Sequence, residues 1–141
     1  MMKANRHEAC PCGSGRPFAG CCEPYLDHAD NPATAEALMR SRYTAYSLGR
    51  LDYVRATWHP KTCPSALQPV AGLRWLGLQI RRVQAGGEND VTGIVEFVAR
   101  SKLGGRAERL HETSTFERVD GRWMYRHGEL RGEPSNAPPR G

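Results

Sequence analysis

The sequence predicts an α+β protein, and three observations carry that expectation. Ala35, Leu38, Met39, Tyr43 and Tyr46 recur at three- and four-residue spacing, the mark of a helix with one buried face. Four segments rich in Val, Ile, Thr and aromatic residues follow, separated by the turn signals Gly86-Gly87, Gly104-Gly105 and Asp120-Gly121. Ahead of both, four of the five cysteines crowd into the stretch CPCGSGRPFAGCC. Helices first and an antiparallel meander after them put the helices on one side of a curved sheet. The cysteine stretch then forms a small N-terminal knuckle of its own.

That knuckle needs a staple, because below about 40 residues a chain buries too little apolar surface to fold alone. Disulfides fit poorly: Cys21 and Cys22 are adjacent, and only Pro11 separates Cys10 from Cys12, so local pairs would close strained rings. Zinc fits better, since it takes four thiolates at about 2.3 Å in a tetrahedral site. An iron–sulfur cluster, a redox thiol cluster and the disulfide knot of a secreted chain are the competing readings; ligand type and spacing favour zinc held by Cys10, Cys12, Cys21 and Cys22. A closed four-cysteine site leaves no position for water, so the zinc is read as structural. Gly13 and Gly15 supply the positive φ angles that a turn around the thiolates needs, and Phe18 is the large apolar side chain able to shield the sulfurs.

Residues 23–31 are polar and contain Pro24, which reads as a linker. Asn31-Pro32 is expected to open the first helix, with Asn as cap and Pro in the first turn, and Gly49 to stop it. A second helix is expected from Asp52 to Trp58, closed by His59-Pro60. Residues 61–72 hold Pro64 and Pro69 and show no period. Strands are expected over Arg74 to Val83, Val91 to Ser101, Glu108 to Val119 and Arg122 to Gly128. The Pro-rich, polar tail 132–141 is expected to be disordered. Boundaries follow at 1–28 for the knuckle, 29–131 for the domain and 132–141 for the tail.

The residues Cys10-Pro11-Cys12-Gly13-Ser14-Gly15, Phe18 and Cys21-Cys22 resemble the SEC-C motif, a small zinc-binding module whose four ligands map onto these cysteines. Its last ligand is His in many members, where this chain has Cys22. Leu38-Met39-Arg40-Ser41-Arg42-Tyr43, Thr57-Trp58-His59-Pro60, Trp75-Leu76-Gly77-Leu78 and Trp123-Met124-Tyr125 resemble the YchJ-like family of uncharacterised bacterial proteins. The resemblance spans most of the chain. It implies a zinc module joined to a cone-shaped domain like nuclear transport factor 2, and it carries no activity with it.

In such a cone the aromatic sheet face would line a cavity. A two-residue turn at Asp120-Gly121 pairs Phe116 with Tyr125 and Ser114 with His127, placing Glu112, Ser114, Phe116, Trp123, Tyr125 and His127 on that face. A carboxylate among aromatic rings is costly without a partner. Either Glu112 is a base in an apolar pocket, or Arg42 reaches in from the first helix and forms a structural ion pair; the second reading is preferred. The candidate cavity residues are Arg42, Trp58, His59, Glu112, Ser114, Trp123 and Tyr125. His59 is read as a helix-end hydrogen-bonder rather than a catalyst.

The formal net charge is +5, but signs alternate, as at Glu96 with Arg100 and Glu117 with Arg118, which describes a solvated surface more than a nucleic-acid stripe. Residues 1–9 hold no apolar run, so neither a signal peptide nor a membrane span is expected and the protein is placed in the cytoplasm. A nucleophile elbow, a phosphate loop and a dinucleotide fingerprint are absent from the sequence. The favoured function is a non-catalytic adaptor that contacts a protein through the zinc knuckle, the domain giving a second contact or a homodimer face. Two alternatives stay open: a small-molecule binder or enzyme using the cavity, and nucleic-acid or ribosome contact through the zinc module and nearby Arg6 and Arg16, which a connected basic stripe across Lys3, Arg6 and Arg16 would favour.

Overall fold

A computed structural model describes residues 5–131; the tail at 132–141 and Lys3 lie outside the described residues. The element order is a 3-10 turn (Phe18–Gly20), α1 (Glu23–Leu26), α2 (Ala35–Leu48), α3 (Leu51–Ala56), β1 (Arg74–Ala85), β2 (Thr92–Leu103), β3 (Arg106–Val119) and β4 (Arg122–Leu130). The strands form an antiparallel meander in the order β1-β2-β3-β4. The arrangement is the α+β architecture that the element pattern implies.

The helical boundaries differ from expectation in three places, one of them α3, which runs Leu51–Ala56 and leaves Trp58 outside it, bridged to Tyr125. The stretch read as a linker contains α1, a single turn with Pro24 at its start, and Leu26 at its end is 1% exposed. Helix α2 begins at Ala35 rather than at Pro32, because the Thr34 side chain accepts the Ala37 amide at 3.1 Å and caps it. Gly49 ends α2 in the left-handed region at φ 74°, as expected.

The knuckle and the domain share one buried cluster. Cys10, Cys12, Cys21, Cys22, Phe18 and Leu26 belong to the same core as Leu38, Tyr43 and Ala45 of α2, Val95 and Phe97 of β2, Phe116 of β3 and Trp123 of β4. Polar bonds lock the two parts together: Arg40 donates to the Cys12 carbonyl at 2.8 Å, and Arg50 to the Leu26 carbonyl at 2.9 Å. The start of α2 rests on the β1–β2 turn, where the Ala35 amide donates to the Gly86 carbonyl at 2.9 Å.

The β3–β4 hairpin departs from a simple two-residue register. Val119 pairs with Arg122 and Phe116 with Tyr125, but Thr115 then pairs with His127 and Ser114 with Gly128, so Arg126 is a bulge. His127 therefore leaves the aromatic face and is exposed. The cause lies in the segment after α3, which docks on the β4 edge: the His59 amide donates to the Tyr125 carbonyl, the Tyr125 amide to the Thr57 carbonyl, and the Thr62 hydroxyl to the Arg126 carbonyl. These bonds also cover an edge that would otherwise offer free backbone groups.

Candidate metal centre and cavity

Local backbone bonds build the metal site. The Cys10 amide donates to the Arg16 carbonyl at 2.8 Å, the Gly13 amide to the Cys10 carbonyl at 3.1 Å, and the Cys21 amide to the Phe18 carbonyl at 3.0 Å. Gly13 and Gly15 take φ angles of 80° and 87°, which turn the loop so that both ligand pairs face each other. All four sulfurs are buried and lie within 4.8 Å of one another. Tetrahedral zinc with bonds of about 2.3 Å requires sulfurs about 3.8 Å apart. The separations of 3.6 Å for Cys12–Cys21 and 3.9 Å for Cys21–Cys22 lie close to that value, and no pair exceeds 4.8 Å.

Four thiolates around a divalent ion leave surplus negative charge, and the surroundings offset it. Arg16 and Arg40 approach the Cys21 and Cys12 sulfurs at 3.8 and 4.0 Å, Ser14 lies 3.1 Å from the Cys21 sulfur, and the Thr44 hydroxyl donates to the Cys22 sulfur at 3.4 Å. Such close sulfurs cannot all ionise without a cation. Hydrogen bonds from Cys10 and Cys22 hold the Cys12 thiol well below its ordinary range, while hydrogen bonding to Cys10 and Cys12, with burial, pushes the Cys22 thiol up. The donor set thus fits a thiophilic divalent metal, and the four cysteines can hold one.

The aromatic face forms a cavity of about 260 Å³ between α2 and the sheet, lined by Met39, Arg42, Tyr43, Tyr46, Trp58, Trp75, Phe97, Ala99, Leu110, Glu112, Ser114 and Tyr125. Of the expected cavity residues, Arg42, Trp58, Glu112, Ser114 and Tyr125 line it; His59 and Trp123 do not. Trp123 packs at the start of α2, donating its indole N–H to the Ala33 carbonyl at 3.1 Å beneath the Arg118 guanidinium. His59 sits at the β4 edge, where its Nδ1 accepts the Lys61 amide at 3.1 Å and its Nε2 lies 2.9 Å from Glu117. Arg126 Nη1 joins them, 3.2 Å from His59 Nε2 and 3.2 Å from the Glu117 carboxylate.

The expected ion pair between Arg42 and Glu112 does not form. Arg42 is 3% exposed, and its Nη1 donates to the Val54 carbonyl and the Thr57 hydroxyl, each at 2.8 Å. Its guanidinium lies over the rings of Tyr125 and Trp58, 4.6 and 5.1 Å from their centroids. Glu112 instead accepts the Ser114 hydroxyl at 2.6 Å and the Tyr125 hydroxyl at 3.5 Å. Gly128 makes that placement possible: a Cβ there would collide with the Glu112 carboxylate. Backbone acceptors and ring faces outcompete the carboxylate for the cation, which residue spacing alone does not reveal. Glu112→Gln should therefore cost less than about 1 kcal/mol in urea unfolding, whereas stranding the cation of a buried pair would cost about 3–5 kcal/mol.

Comparison with known proteins agrees with both parts. Residues 34–128 match the family described as YchJ, middle NTF2-like domain, and residues 8–24 match the SEC-C motif. A UPF0225 protein of Chromobacterium violaceum is 55% identical over 130 residues, covering 89% of this chain and 96% of the relative. One from Ralstonia nicotianae is 50% identical over 134 residues, covering 86% and 91%. The solution structure of a SEC-C motif containing protein from Rhodopseudomonas palustris superposes with a TM-score of 0.78 at 34% identity, covering 89% of this chain and all of that one. A crystal structure of a SEC-C motif containing protein from Psychrobacter arcticus shares the fold, with a TM-score of 0.71 at 24% identity, covering 96% and 89%. The chain belongs to the YchJ-like family: a domain like nuclear transport factor 2 preceded by a SEC-C motif.

Proposed function

We propose that the four thiolates hold zinc as a structural ion, and that the protein is a non-catalytic adaptor whose zinc-braced loop contacts a protein partner. The loop at residues 13–17 supports this reading: Gly13, Gly15, Arg16 and Pro17 are exposed, while Cys12 before them and Phe18 after them are buried. A short exposed loop clamped at both ends by a metal centre is preorganised, which lowers the ordering cost of binding. Four cysteines fill the coordination shell, so the ion would brace rather than react. The five free cysteines are consistent with a reducing compartment, and we place the protein in the cytoplasm. Among the described residues no helix is long and apolar enough to cross a membrane. Arg6 is engaged by Glu23 at 2.6 Å, which reduces the basic surface available to nucleic acid.

The test is a cross-linked pull-down from bacterial lysate with native protein and Pro17→Glu, an exposed loop position away from the sulfurs, both checked for metal content and melting temperature. Expected is one set of partners captured by the native chain and lost from the folded, metal-loaded variant. Equal capture by both, or capture of nucleic acid in place of protein, would overturn the adaptor reading.

A further inference from the structure

The cavity under α2 contains two groups that its own residues leave unanswered. Arg42 is a buried cation with no carboxylate in ion-pair range among the described residues, and burial pulls its pKa down. Trp58, which lines the same cavity, buries its indole N–H without an acceptor. Buried charges and buried N–H donors are each costly when unmatched: Arg42 has neutral acceptors but no anion, and the Trp58 N–H has no acceptor at all. The two bonds from Nη1 hold the guanidinium fixed against α3, while Tyr125 and Trp58 fix its plane. With both Nη1 hydrogens engaged, the edge made by Nε and Nη2 is the one whose two parallel N–H donors suit a carboxylate.

The rest of the lining defines the body of the ligand. Tyr43, Trp75, Phe97, Ala99 and Leu110 make an apolar wall. About 260 Å³ exceeds the ~150 Å³ that admits benzene but falls below the ~300 Å³ at which drug-sized pockets begin. Tyr125, whose ring lies under Arg42, also bonds Glu112, whose Oε2 receives both the Ser114 and Tyr125 hydroxyls and whose Oε1 meets no donor among the described residues. Its charge disfavours a second anionic group and accepts a donor.

We infer that this cavity is a binding site for a small, flat organic monocarboxylate, whose carboxylate is received by Arg42 and Trp58 and whose apolar body lies among Tyr43, Trp75 and Phe97. A hydroxyl or amine on the ligand body would donate to Glu112. The inference is independent of the metal centre and of the adaptor reading, because none of the lining residues belongs to the knuckle.

The probe is benzoate, titrated into the zinc-loaded full chain and followed by the Trp58 indole N–H signal, with benzamide as the neutral isostere. Saturable displacement of the Trp58 signal by benzoate is expected, with benzamide weaker by about tenfold or more. Arg42→Gln should abolish the preference for the anion. Because that variant removes buried bonds, Ala99→Leu serves as the second: it fills the cavity from the wall, leaves Arg42 in place, and should keep the fold while eliminating the response. No response to benzoate, equal binding of benzamide, or benzoate binding undiminished in folded Ala99→Leu would each overturn the site.

Discussion

Replacing Cys12 by serine is expected to empty the metal centre and to lower the stability of the whole chain by at least about 3 kcal/mol, not merely to loosen the first turns. Structural zinc in finger peptides binds with apparent free energies of about 10–16 kcal/mol, and where the site does not exist in the unfolded chain that energy is folding energy. Cys12 is 0% exposed, its carbonyl holds Arg40 of α2, and the cysteine cluster is continuous with the domain core. Losing the ion therefore uncovers part of α2 and leaves the Thr44 hydroxyl beside a disordered sulfur set. Urea unfolding followed by tryptophan fluorescence reads the effect, since the indoles of Trp58, Trp75 and Trp123 all lie in the domain. A zinc-free Cys12→Ser protein with an unchanged domain midpoint would show that the knuckle is thermodynamically separate.

Gly86→Ala is expected to cost about 3 kcal/mol, from two sources that can be separated. Gly86 has φ 77°, where an L side chain pays about 1–2 kcal/mol. A Cβ at this position would also stand 2.8 Å from the Ala35 Cβ, and overpacking of that kind adds about 1–3 kcal/mol. Gly104 is the control: its φ is 58° and nothing lies within 4 Å of the Cβ position, so Gly104→Ala should show the backbone part alone. Because Ala35 starts the helix that carries Arg42 and Thr44, a shift there would disturb both the cavity and the metal centre. Equal melting temperatures for the two variants would mean that α2 does not depend on this close approach.

What could be read from the residues is what local chemistry determines. Cysteine spacing with Gly13 and Gly15 defines the metal loop, because the ligands and the turn that gathers them are neighbours in the chain. The period of Ala35, Leu38, Met39 and Tyr43 gives α2, and paired turn residues separate the strands. The missed features depend on contacts distant in sequence. Leu26 looks like one apolar residue in a polar stretch until α2 covers it. The bulge at Arg126 arises because residues 57–62 bond to the β4 edge and draw one residue out of register. Arg42 turned away from Glu112 because the Val54 carbonyl, the Thr57 hydroxyl and two ring faces were nearer in space. Gly86 was legible as a turn residue, but its close approach to Ala35 and Gly93, which lets the helix meet the turn, was not.

X-ray absorption at the metal edge of protein purified under reducing conditions, together with native mass spectrometry, tests the central claim most directly. One zinc ion per chain, surrounded by four sulfurs at about 2.3 Å and lost from Cys12→Ser, is the expected result. Iron, a cluster, or an oxygen or nitrogen ligand in the first shell would contradict a closed structural centre built from Cys10, Cys12, Cys21 and Cys22.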